Sequence, residues 1–186
     1  MEARKSGIDE RYTYFDYVKW DDDTRWELIN GVPYMMASPN HVHQEILMAL
    51  SSELHQFLKG KPCKVYPAPL DVRLSHKKKD DNVVQPDIVI LCDKNKLDDR
   101  SITGVPDMII EILSPSNPSH DTLRKLNLYR KYGVGEYWIV RPDDKIVYVH
   151  ILKDGEYNVT TYERADSVPV KTLEGCTINL ADIFTE

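Results

Sequence analysis

The stretch DMIIEILSPSN, Asp107 to Asn117, reads as a strand running into a turn, with a glutamate in the middle of its apolar run. Ile109, Ile110, Ile112 and Leu113 are residues of a strand buried on both faces. The two-residue period of a strand puts Glu111 on the face shared by Ile109 and Leu113. An ionised carboxylate removed from water is costly unless it is paired, neutralised or bound to a cation. Three answers are open for Glu111: a metal ion, a buried Arg or Lys, or an edge strand from which the side chain reaches water.

The chain around this strand has 186 residues, enough for one domain (1–186) with a substantial core and short for two. Hydrophobic residues make up 41% and charged residues 29%, and the formal net charge is −6. A negative chain has no overall attraction to nucleic acid, so any contact with DNA or RNA requires a local basic patch. Cys63, Cys92 and Cys176 are far apart, odd in number and without metal-ligand spacing. That pattern excludes zinc fingers and predicts reduced thiols in a cytosolic setting. The polar start MEARKSGIDERYTY lacks the apolar core of a signal peptide, and no run approaches the roughly 18 apolar residues of a membrane span. The expectation is a soluble, cytoplasmic protein.

Read outward from DMIIEIL, the elements alternate between strand and helix. Thr13 caps a short helix through Trp20, and RWELIN and VPYMMA form two strands joined by an Asn30-Gly31 turn. From His41 to Leu58 the apolar residues Ile46, Leu47, Leu50, Leu54, Phe57 and Leu58 recur at helical spacing, ended by Gly60 and Pro62. KVYPAP and LDVRL give one or two strands, and DIVILCD gives the strand before MIIEIL. After the turn SPSNPSH, Asp121 to Tyr132 reads as a helix and EYWIV as a strand. KIVYVHIL, a Lys153-Asp154-Gly155 turn and EYNVTTYE make an antiparallel hairpin, with CTINL as an edge strand. The sum is one mixed sheet carrying a long early helix and a later one.

Pro86-Asp87 opens the strand DIVIL, so Asp87 and Glu111 can converge at one end of neighbouring strands. Paired carboxylates are hard oxygen ligands suited to Mg²⁺ or Mn²⁺, ions that activate water and neutralise charge on a phosphodiester. Pro106-Asp107, four residues before Glu111, is a rival ligand, although proline before a strand is also a plain start signal.

The order Pro86-Asp87, Glu111 in IIEILSPSN, Asp121-x-x-x-Lys125-x-x-x-Tyr129 and GVGEYWIVRP resembles the Uma-two-type family of restriction-endonuclease-like proteins. That family is a bacterial branch of the PD-(D/E)XK nuclease superfamily. RWELINGVPYMMASPNHVHQEIL resembles its first block, and the match runs from about Trp20 to about Pro142. The resemblance implies an α/β, restriction-endonuclease-like fold: a central mixed β-sheet flanked by α-helices, with additional antiparallel strands. It also implies a metal site at Asp87 and Glu111, with Glu27 completing the shell. The superfamily carries a lysine two residues after the second acid, where this chain has Leu113. Lys125 is the replacement implied within this branch.

Asp121, Lys125 and Tyr129 stand at i, i+4 and i+8 and share one helix face. A solvated Asp121–Lys125 pair is the plain alternative. For Glu27 the alternative is a solvent-facing strand residue. His43, at the start of the long helix where backbone N–H groups favour anions, is a candidate phosphate contact or proton donor, with His41 as a near rival. Gln85 and Ser114 are candidate pocket residues. Lys77-Lys78-Lys79, and Arg124, Lys125, Arg130 and Lys131, are candidate phosphate contacts or ordinary solvated charge. With these residues, the resemblance implies a Mg²⁺- or Mn²⁺-dependent endonuclease acting on DNA as a homodimer. The alternatives are an inactive module of the same fold that binds nucleic acid or a protein partner, and a hydrolase of small phosphoesters.

Overall fold

Gly31 and Asn30 both take positive φ, 76° and 50°, as a two-residue turn between paired strands requires. A Cβ on Gly31 would stand 3.1 Å from that of Arg11, so the turn needs glycine for space as well as conformation. The computed structural model describes residues 10–75, 80–114 and 119–185. The turn joins β1 (Trp26–Ile29) to β2 (Val32–Met35), and before it α1 (Tyr14–Tyr17) is shorter than the expected helix. The early helix α2 (His41–Leu58) has the bounds read from its periodicity, and the Asn40 side chain caps it by accepting the His43 N–H at 2.9 Å. Its stripe of Ile46, Leu50, Leu54 and Leu58 is buried, each worth about 1.5–3 kcal/mol.

The following strands are β3 (Lys64–Pro67), β4 (Asp71–Arg73), β5 (Val83–Val84), β6 (Ile88–Leu91), β7 (Ser101–Thr103) and β8 (Met108–Ile112). After α3 (Ser119–Tyr132) come β9 (Glu136–Arg141), β10 (Ile146–Lys153) and β11 (Glu156–Glu163). The chain then forms β12 (Ser167–Pro169), β13 (Thr177–Asn179) and α4 (Leu180–Ile183).

The central sheet has the order β11-β10-β9-β8-β6-β3, and within it only β8 and β9 run parallel. A parallel pair needs a crossover, and α3 supplies it. One face carries Ile88, Ile90, Met108, Ile110 and Ile112 against α2 and α4. The other carries Val89, Leu91, Ile109, Tyr137 and Ile139 against Leu128 and Tyr129 of α3 and a second sheet. Glu111 lies on this second face, with Ile109 and Leu113 as its periodicity requires.

The single mixed sheet read from the sequence is therefore divided. A separate five-stranded sheet, β2-β1-β5-β4-β7, covers the α3 face, and β13 pairs with β12 instead of edging the main sheet. Strands of two and three residues are too short to show a period. The expectation of three free thiols also fails. β3 and β6 pair Lys64 with Leu91, which sets Cys63 and Cys92 opposite each other one residue further on, and the two are joined as a disulfide. Only Cys176 is free among the described residues. Among those residues no helix is long and apolar enough to cross a membrane.

Candidate active site

β6 and β8 run antiparallel with Ile88 opposite Ile110, so Asp87 arrives across from Glu111 at the end of the sheet. The Asp87 carboxylate is fixed there by the Ile112 N–H, which donates to Oδ2 at 2.7 Å. His43, brought in by the first turn of α2, places Nε2 3.1 Å from the same oxygen. Its Nδ1 is buried without a partner among the described residues.

The compensating cation for Glu111 is Lys125. Its Nζ lies 3.0 and 3.2 Å from the two Glu111 oxygens and 2.9 Å from Glu27 Oε1. One turn along α3, the Tyr129 hydroxyl donates to Glu111 Oε1 at 2.7 Å. The i, i+4 spacing thus aims both Lys125 and Tyr129 at one carboxylate. Glu27 is fully buried on β1 and held by the Gln85 N–H at 2.9 Å, while its Oε2 has no partner among the described residues. The ammonium's three N–H groups face three carboxylate oxygens.

Burial pushes the Glu111 carboxyl above its ordinary range; Lys125 pulls it down, Asp87 and Glu27 push it up again, and the Tyr129 hydroxyl pulls it down. The net direction is upward, because burial, reinforced by the Asp87 and Glu27 charges, outweighs Lys125 and the Tyr129 hydroxyl. For Lys125, burial alone would lower the pKa, but Glu111, Glu27 and Asp121 together hold it well above the ordinary lysine value. Lys125 therefore stays charged and cannot act as a general base. It can act only by its charge and its donors.

Asp87, Glu111, Lys125, His43 and Asp121 line a common cavity of about 230 Å³, together with Arg25 and Ser114. Glu27 stands behind Lys125. All five candidate residues thus meet at one place, in two linked groups: His43 with Asp87, and Glu27 with Lys125 and Glu111. Other expectations separate from the site. Asp107 lies at the far end of β8 and accepts the Cys92 N–H at 2.7 Å, and His41 is exposed. Gln85 contributes its backbone, while its side chain turns to Asp71 and Arg25. The basic residues of α3 do not form one patch: Arg124 pairs with Asp121 at 3.1 Å and stacks on Tyr34, and Arg130 pairs with Glu156. Lys77-Lys78-Lys79 lies outside the described residues. Arg25 is the lining residue that sequence reasoning missed. Its two-residue offset from Glu27 was the available signal.

The donor set suits a small hard cation. Two carboxylates facing an open cavity fit Mg²⁺ or Mn²⁺, ions that keep most of their waters. The carboxylates Asp87 and Glu27 that crowd Glu111 point the same way. The fit does not extend to a three-carboxylate shell: among the described residues no group of three or more His, Cys, Asp or Glu is placed to hold a metal. Glu27 is engaged with Lys125 instead.

The model of the family described as "Uma2: Putative restriction endonuclease" matches residues 14–181, a wider span than the motifs marked. "Uncharacterized protein slr1290" of Synechocystis sp. (strain ATCC 27184 / PCC 6803 / Kazusa) is 24% identical over 162 residues, covering 85% of this chain and 84% of that protein. In fold the chain is similar to the crystal structure of "a putative nuclease belonging to DUF820" from Anabaena variabilis ATCC 29413. The TM-score is 0.75 at 20% identity, covering 92% of this chain and 97% of that one.

Proposed function

The chain belongs to the Uma2 family of restriction-endonuclease-like proteins, and on that premise we propose that it is a metal-dependent phosphodiester hydrolase, an endonuclease on DNA. The observation that carries the reading is the pairing of Asp87 and Glu111 across β6 and β8, with a permanently charged Lys125 from α3 beside them. Asp87 and Glu111 would hold Mg²⁺ or Mn²⁺. When bound, such an ion supplies Lewis acidity toward a phosphoryl oxygen and an acidified water.

The remaining roles belong to the chain itself. Lys125, once one of its two Glu111 contacts loosens, has an N–H free to orient a water and to offset charge developing on the phosphate. Glu27 keeps the ammonium in place, and Tyr129 limits the rotation of Glu111. His43, 3.1 Å from Asp87, orients that carboxylate and stands at the cavity wall where a leaving oxygen can take a proton. Cutting both strands of a duplex is simplest with two copies of the site, so the working form on DNA is expected to be a homodimer.

The test is cleavage of supercoiled plasmid and single-stranded DNA with Mg²⁺ or Mn²⁺, for the native protein and for Asp87→Ala, Glu111→Ala and Lys125→Ala. Metal-dependent nicking lost in all three variants supports the assignment. Activity persisting in them points to a contaminant. A second reading, an inactive binding module of the same fold, is favoured by one observation: all three Lys125 donors are already taken by carboxylates. Absence of cleavage together with absence of any thermal shift on adding metal would select it.

A further inference from the structure

Beside the carboxylates lies a second and larger cavity, about 570 Å³, where charge gives way to an apolar wall. Leu113 and Ser114 form its near side, and Ser114 also lines the smaller cavity that holds Asp87, Glu111 and Lys125. Ile139, another wall residue, is the β9 partner of Glu111, so one lining residue of each cavity stands on neighbouring strands, roughly 4.8 Å apart in the backbone. Leu113 occupies the position where the superfamily resemblance places a lysine. With the ammonium supplied from α3, that position is free to be hydrophobic, and it faces the larger cavity.

The chemistry of the other walls narrows the occupant. Its volume is that of a small-ligand pocket, and the Tyr148 ring and the Leu123 side chain suit a flat, partly apolar group. His150 also lines the cavity. It is only 8% exposed, and its Nδ1 has no hydrogen-bond partner among the described residues. Burial lowers its pKa, against a smaller opposing pull from the Tyr137 and Tyr148 backbone, so the imidazole is neutral at pH 7. A neutral imidazole suits the edge of an uncharged heterocycle better than it suits an anion. At the rim Arg141 is paired with Asp144 and stands beside Asp143, so that edge carries no net positive charge and the phosphate is left to the neighbouring carboxylate site.

We propose that this cavity is a base subsite: it receives the nucleobase of an unpaired nucleotide whose phosphate lies at Asp87 and Glu111. This rests on the phosphodiesterase reading and sharpens it. A base stacked within a duplex has its faces and pairing edge covered, so it enters a walled pocket only from a single strand or a locally opened duplex. The substrate class is therefore unpaired nucleic acid.

Calorimetric titration in Mg²⁺ tests this with three probes: the 5′-deoxynucleoside monophosphates, deoxyribose 5-phosphate and the free deoxynucleosides. The native protein should bind at least one mononucleotide about tenfold or more tightly than the base-free sugar phosphate, in keeping with the gain of one stacked base. Leu123→Trp fills the pocket from a side chain that is 57% exposed and so leaves the core intact. It should reduce that preference to less than threefold without changing sugar phosphate binding, and Tyr148→Ala should weaken it in the same sense. Equal affinity for mononucleotide and sugar phosphate in the native protein, or an undiminished preference in both variants, overturns the subsite and leaves the hydrolase reading standing. Loss of every phosphate-dependent contribution, with deoxynucleoside binding still sensitive to Leu123→Trp, overturns the hydrolase reading and supports the cavity as a nucleobase site.

Discussion

Replacing Lys125 by Met keeps the length of the side chain and removes the one ammonium that separates Glu27 from Glu111. In the native protein that charge lies 2.9–3.2 Å from three carboxylate oxygens, in a site where Glu27 is 0% and Glu111 6% exposed. Breaking a buried ion pair from one side costs about 3–5 kcal/mol, because the remaining charge has lost its partner. The loss should depend on pH. Glu111 already lies above the ordinary carboxyl value of 4.5, and Lys125 is its chief lowering influence, so the variant's carboxyl rises further. A raised group stabilises the fold fully below its unfolded pKa and loses that contribution as pH climbs through the folded value. Between pH 5 and pH 7 native and variant proteins both hold that proton and both lose about 1.4 kcal/mol per pH unit, but above the native value of about 8 only the variant goes on losing stability. The expected deficit is about 3–5 kcal/mol at pH 7 and about 1 kcal/mol more at pH 9. Urea denaturation in EDTA at both values, followed by Trp fluorescence, measures it. A deficit that fails to grow from pH 7 to pH 9, or a loss under about 1 kcal/mol at pH 7, would refute the assignment of Lys125 as the compensating cation.

Three further outcomes are expected. In metal-free native protein the stability contributed by Glu111 is present below pH 4.5 and declines as pH rises toward a folded value of about 8, so Glu111→Gln should flatten the slope of denaturant stability across that window. Mg²⁺ at 100 times its Kd should stabilise the native fold by about 2.7 kcal/mol, read as a rise in melting temperature, and Asp87→Asn should abolish the rise. Leu113→Lys should restore part of the metal-dependent nicking lost in Lys125→Met, because position 113 is where the superfamily carries its lysine; a double variant no more active than Lys125→Met would count against the two positions being equivalent in space.

How much of this was legible in the chain depended on whether a residue's neighbours were local. The α3 triplet Asp121, Lys125 and Tyr129 announced its shared face through spacing alone, and Glu111 announced its need for a partner by standing in an apolar run. The register of two buried strands brought Asp87 opposite Glu111 with nothing long-range left to guess. Pairings between strands of two or three residues left no such trace. β5 and β7 are too short to alternate, so the sheet that buries Glu27 was invisible, and with it the reason Glu27 turns toward Lys125. Cys63 and Cys92 failed for the same reason, being 29 residues apart and meeting only through the β3–β6 register. Leu113 is the instructive case. Read locally it was a gap in the pattern that the resemblance implies, and the fold adds that Leu113 lines an apolar wall next to the carboxylates while Lys125 reaches Glu111 from α3. A lysine that reaches the same carboxylate from a helix supplies the same charge while altering the surface that a substrate meets. On the proposed reading, Leu113 in the lysine's place changes what the site would bind without removing its cation.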